Sequence, residues 1–155
     1  MGDRFYTTEA LVLAERESGE RAKILTLFSR ELGLVYVHGA GLRRMESKLR
    51  YNLELYSLCL VSLVPGKENW KLVGAENSRK LPVDLSCAAA ISQLMLRLMG
   101  THVLHPELFD EIMQGGEEAR LKVCVLDHLG YVGKRAENQV EAQGLIDRAL
   151  YASQL

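Results

Sequence analysis

Cysteine, proline and tryptophan are scarce in this chain of 155 residues, at three, three and one. The cysteines are Cys59, Cys87 and Cys124, spaced 28 and 37 residues apart. An odd, scattered set excludes a disulfide framework and lacks the close pairs of a structural zinc site. Reduced thiols in a cytoplasmic protein are therefore expected. No apolar run approaches the roughly 18 residues of a membrane span, and MGDRFYTTEA lacks the basic start and apolar core of a secretory signal. No membrane partner is expected. A surplus of charge is missing too: the net value is −1. With 48% hydrophobic and 25% charged residues, the composition excludes a disordered tail, a collagen-like fibre and a coiled-coil rod. A chain of this length buries roughly 70% of its unfolded surface and needs no metal to fold.

The near-zero charge argues against a nucleic-acid binder, but its distribution argues for one. Residues 1–80 hold 13 Lys/Arg against 10 Asp/Glu, and residues 81–155 hold 6 against 10. Within HGAGLRRMESKLR, Arg43, Arg44, Lys48 and Arg50 face only Glu46. Such asymmetry predicts a basic surface on the first half and a different task for the second.

The first half reads as strands. TTEALVLAERE is followed by a polar, Gly-containing turn, ERESGERA. AKILTLFSREL and LVYVHGAG form a hairpin through Glu31-Leu32-Gly33. SLCLVSLV is a fourth strand, broken by Pro65-Gly66, and WKLVGAE a fifth. Five short strands with a basic insertion between the third and fourth fit a small closed barrel of the OB type, although an SH3-like barrel shares that order.

The period changes at Pro82. Asp84 or Ser86 can cap a helix starting near Cys87, whose apolar set is Ile91, Leu94, Met95, Leu98 and Met99. His105-Pro106 opens a second helix, with Leu108, Phe109, Ile112 and Met113 buried and Gly115-Gly116 at its end. EARLKVCVLDHLGY is a third, burying Leu121, Val125, Leu126 and Leu129 and stopped by Gly130. A weaker fourth helix is expected from about Ala136 to Leu155. The predicted architecture is α+β: an OB-type barrel over 1–80 and a small all-helical domain over 81–155.

Candidate chemistry is sparse. His102 and His105 stand three apart, at the end of the first helix. The zincin pattern requires histidines four apart with a glutamate between, and Val103-Leu104 fill that gap here. There is no G-x-S-x-G, and HGAG lacks both the P-loop lysine and a third dinucleotide glycine. Cys124 reads as a small core residue. No catalytic set is found, and no metal site or cofactor is expected. What remains is the basic stretch, which can track a phosphate backbone beside Tyr36 and Trp70 as stacking faces. Composition fits equally well an ordinary solvated loop beside core aromatics.

The segment TEALVLAERESGERAKILTLFSRELGLVYVHGAG resembles the start of the RecO family of bacterial recombination mediators. The likeness continues through Arg43, Arg44 and Ser47 to WKLVGAE. HPELFDEIM resembles the family's Leu-Phe helix, and EARLKVCVLDHLGY carries Arg120, Leu121, Leu129, Gly130 and Tyr131 in matching places. Coverage is roughly residues 7–133. Family members typically continue into a four-cysteine zinc module, whereas no cysteine follows Cys124 here, so a shortened form is expected.

The resemblance implies a mediator of DNA repair, cytoplasmic and nucleoid-associated. Its barrel would bind single-stranded DNA through Arg43, Arg44, Lys48 and Arg50, with Lys23, Tyr36 and Lys71 as lesser contributors. Its helical half would dock RecR and the acidic C-terminal tail of single-strand-binding protein, promoting recombinase loading and strand annealing. Arg120, Leu121, Lys122 and Arg97 are the expected tail contacts, Leu121 being equally suited to the core. The alternatives are a generic OB-fold nucleic-acid-binding module and a protein-interaction adaptor, neither with a recombination role.

Overall fold

The computed structural model describes residues 5–19, 22–40 and 53–130. The basic stretch with Arg43, Arg44, Lys48 and Arg50 lies outside the described residues, as do Tyr131 and the expected fourth helix. The chain divides into two compact units: residues 1–81 with 100–104, and residues 82–99 with 105–155.

The first unit contains β1 (Tyr6–Ser18), β2 (Ala22–Ser29), β3 (Gly33–Ala40), β4 (Ser57–Val64) and β5 (Trp70–Lys80). They close in the order β1-β2-β3-β5-β4, with β4 pairing back onto β1. All neighbours are antiparallel except β3 and β5, which pair in parallel at Val37↔Trp70 and His38↔Lys71. This is an OB-type barrel. Its interior follows the period of two that pleating imposes: Ala10 and Val12, Leu25 and Leu27, Val35 and Val37, then Cys59, Val61 and Leu63 form one buried cluster. Trp70, Leu72 and Ala75 of β5 pack against it from partly buried positions.

One overlap resolves in favour of a strand, and one strand runs further than the sequence suggests. Glu15, Arg16 and Glu17, which the sequence places both in the first strand and in the turn after it, belong to β1 because they pair across to β2, down to Ser18↔Ala22. Lys23 Nζ lies 3.5 Å from Glu15 Oε2 across that ladder. β5 extends through polar Asn77-Ser78-Arg79-Lys80 because it pairs with β4 as far as Ser57↔Lys80. A register shift opposite Leu58–Leu60 absorbs the extra residue, and Asn77 sits there at φ +57. Asparagine tolerates that left-handed geometry at a bulge better than most residues.

The second unit contains α1 (Leu85–Leu98), α2 (Pro106–Met113) and α3 (Glu118–His128). Asp84 is the cap of α1, its Oδ1 accepting from the Cys87 N–H at 2.7 Å. The helix therefore starts two residues earlier than expected. Proline opens α2, where its missing N–H costs nothing. Gly115 and Gly130 follow α2 and α3 at φ +75 and +84, the left-handed stops that glycine supplies without strain. α3 packs against both α1 and α2, burying Leu121, Val123, Cys124, Val125 and Leu126. Burial and the neighbouring His128 hold the imidazole of His105, at the start of α2, below its ordinary range. Its contribution to stability is thus present above about pH 6.5 and declines as pH falls.

Cys59 generates a test of the barrel. It is 3% exposed, and burial pushes its thiol from an ordinary 9.0 to about 11. A raised folded value means that stability is intact below pH 9 and is lost as pH climbs toward 11. Two pH units at about 1.4 kcal/mol each set a loss on the order of 2–3 kcal/mol. Denaturant unfolding between pH 8 and pH 11 measures it. Cys59→Ala is expected to be less stable at neutral pH yet to show a flatter decline above pH 9. A decline as steep as that of the parent would assign the alkaline loss to another group.

Candidate nucleic-acid interface

β3–β5 pairing decides which side chains meet on the barrel's outer wall. Alternation along β3 turns Val35 and Val37 inward and leaves Tyr36 outward, 44% exposed. Trp70 pairs with Val37 and packs against the core from a partly buried position, and Tyr36 and Trp70 both line one cleft of about 250 Å³. The β4–β5 turn lines it with Pro65, Gly66, Glu68 and Asn69, and His102 completes it.

Two contacts hold Trp70. Tyr6, at the start of β1, meets it edge to face, with ring centroids 5.2 Å apart and planes at 82°, the arrangement that aromatic quadrupoles favour. On the polar side the indole N–H donates to His102 Nε2 at 3.3 Å. Accepting there requires a neutral imidazole with its proton on Nδ1.

His102 reaches the barrel because the chain leaves α1 at Leu98 and does not carry that helix onward. Met99 is extended and closes α1 with its N–H on the Met95 carbonyl. Residues 100–104 then run along β3: Leu34 and Thr101 form a parallel bridge, and the His102 N–H donates to the Leu34 carbonyl at 3.0 Å. Gly33 makes that approach possible. It sits at φ +73, and a Cβ there would collide with the Val103 carbonyl. The expectation that His102 stands at the end of the first helix is therefore corrected, since His102 belongs to the barrel unit, while His105 opens α2 as the sequence suggests. The local sequence carries no sign of the Trp70–His102 contact, which joins residues 32 apart.

The expected DNA contacts divide. Tyr36 is in the cleft. Lys71 is exposed beside Trp70, and a Cβ on Gly66 would stand 3.3 Å from its Cγ, so its stem lies along the cleft's turn. Lys23 is half-buried and engaged with Glu15. Among the described residues the barrel unit carries seven Lys/Arg and seven Asp/Glu, so its basic excess resides in the segments outside them.

On the second unit, Arg120 and Arg97 are exposed. Lys122 Nζ pairs with Glu118 Oε1 one turn back, at 3.5 Å. Leu121 is 2% exposed; it is core, because α3 turns that side toward its neighbouring helices. Glu111 and His128 approach at 3.6 Å. No group of three His, Cys, Asp or Glu suited to a metal occurs among the described residues. No helix among them is long and apolar enough to cross a membrane.

The Trp70–His102 contact can be tested directly, since Trp70 is the only tryptophan of the chain. His102→Ala should cost about 1 kcal/mol, the net worth of one such hydrogen bond, and shift tryptophan emission to the red as water replaces the imidazole. Emission identical to that of the parent would show that the bond is not held in solution.

Comparison with known proteins bears on the same region. The family model for the N-terminal part of recombination protein O matches residues 1–76, which include β1 to β4 and the start of β5. Two proteins of Desulfitobacterium hafniense, from strains DCB-2 and Y51, each described as DNA repair protein RecO, are 33% identical over 110 residues. The match takes in 67% of this chain and 40% of each relative. With its OB-type barrel and following helices, the chain belongs to the RecO family.

Proposed function

We propose that the protein is a non-enzymatic mediator of DNA repair and recombination that acts in the cytoplasm at the nucleoid. In this reading the barrel binds single-stranded DNA. Arg43, Arg44, Lys48 and Arg50 supply the phosphate contacts, Lys71 adds one at the cleft, and Tyr36 and Trp70 stack bases. Lys23 contributes less, because Glu15 already neutralises it. The observation that carries the reading is that Tyr36 and Trp70 line the same cleft of an OB barrel, on a chain whose relatives are described as DNA repair proteins. Stacking platforms beside a basic track are how such barrels hold single strands.

The helical unit is assigned to partners. Arg120 and Arg97 are exposed cations without an ion pair among the described residues, and Lys122 contributes less, because Glu118 already pairs with it. Such a surface suits the acidic tail of single-strand-binding protein, and RecR is the second proposed partner. Together these contacts would support recombinase loading and strand annealing.

Two measurements test the two halves. Titration with single-stranded DNA at several salt concentrations should give a log–log slope near −3, as expected for about four phosphate contacts. Arg43→Glu with Arg44→Glu should weaken binding alike for all sequences, whereas unchanged affinity would move the phosphate track elsewhere. For the helical unit, a labelled acidic tail peptide should bind the parent protein and lose most of its affinity for Arg120→Glu in fluorescence anisotropy. Equal binding by both proteins would remove Arg120 from the site, and binding by neither would remove the tail from this unit.

A further inference from the structure

We propose that the Tyr36–Trp70 cleft is a subsite for one unpaired nucleobase and that Glu68 makes it prefer guanine. This rests on the reading of the barrel as a DNA-binding unit, and adds to it a base preference that backbone contacts cannot provide.

The starting point is a charge of the wrong sign. Glu68 lines the cleft, is exposed and has no ion pair among the described residues. On a surface that meets DNA only through phosphates, such a carboxylate repels the ligand. Beside two aromatic rings it has another use, because an ionised carboxylate accepts two parallel hydrogen bonds.

Among the four bases, only guanine presents two adjacent donors on its Watson–Crick edge, N1–H and the N2 amino group. Adenine and cytosine set an acceptor nitrogen beside their amino group, which a carboxylate repels. Thymine flanks its one N–H with two carbonyls. Asn69, the next residue of the same turn and also in the cleft lining, carries the amide donor that guanine O6 requires. Reading of splayed bases through this edge, with stacking on aromatic rings, is the usual mode for single strands.

The cleft is also prepared for a planar ligand. Trp70 is fixed by Tyr6 on one side and by the His102 acceptor on another, so little ordering remains when a base enters. Gly66 cannot take a side chain without a collision with the Asn69 carbonyl, which keeps the turn tight. His102 is a positioning residue here, acting through the indole.

The test uses the full chain and four oligonucleotides: eight thymidines, and the same strand with one central guanine, adenine or cytosine. Affinity is read by anisotropy and base entry by quenching of Trp70. The guanine strand should bind about tenfold more tightly than the others, in line with one bidentate base contact, and should quench Trp70 most. Glu68→Gln, an exposed change in a turn, should reduce the preference to within about twofold while leaving the all-thymidine strand bound at least as well. Equal affinity for all four strands, or a guanine preference that survives in Glu68→Gln, would overturn the subsite and leave DNA binding by the barrel intact. Binding to none of the strands would overturn both.

Discussion

The shortest ladder in the barrel is the one on which its outer surface depends. β3 and β5 meet in parallel through only two residue pairs, Val37↔Trp70 and His38↔Lys71, whereas β1 and β2 share eight. That seam closes the sheet and removes the open edges that would otherwise template strand addition. It also fixes where the two halves of the cleft come from. Shifting β5 by one residue would exchange its inner and outer faces. Trp70 would then leave the wall it shares with the core, and Lys71 would face inward.

A seam this short gains from its surroundings. The segment 100–104 pairs with Leu34 on β3 and brings the acceptor that holds the Trp70 N–H. Tyr6 reaches the same indole from β1, the strand that pairs with β4 on the far side of the barrel order. Trp70 is thus contacted by three separate stretches of chain. The contacts that fix its ring for the proposed stacking role also help to close the fold. Gly33 shows how tightly this is set, since its missing side chain is what lets the Val103 carbonyl approach.

Much of this architecture was legible in the sequence, for definite physical reasons. β4 was readable because SLCLVSLV is a short apolar run stopped by Pro65-Gly66, and the helix cap at Asp84 because a short acidic side chain reaches back to the first-turn N–H groups. β5 beyond Glu76 was not, since Asn77-Ser78-Arg79-Lys80 has little strand propensity and is held by the ladder to β4. Tyr36 and Trp70 were readable as aromatics on strands, but their meeting in one cleft depends on the parallel closure, which no local pattern encodes. His102 was misread as the end of a helix, because apolar periodicity continued through Met99 while the backbone had already turned extended. Leu121 lay on a helix whose burial extends through Val123, Cys124, Val125 and Leu126, and periodicity alone does not separate a walled hollow from a core.

The distribution of charge gives the proposed interface its division of labour. With seven cations against seven carboxylates among the described residues of the barrel unit, this wall provides little net attraction for a phosphate chain. In the proposed interface, long-range attraction falls to the basic stretch 41–50, whose four cations meet one carboxylate. Such attraction is strong at low salt, weakens as ions screen it, and treats all sequences alike. The cleft works differently. Its Trp70 ring is held by neighbours and its turn carries a carboxylate, so in the proposed subsite it would add contacts that salt screens less and that depend on which base is presented. In the proposed interface the basic segment, which follows β3 in the sequence, would capture the strand and the cleft would select the base. On this arrangement, affinity and base preference reside in separate parts of the same barrel and can be altered independently of each other.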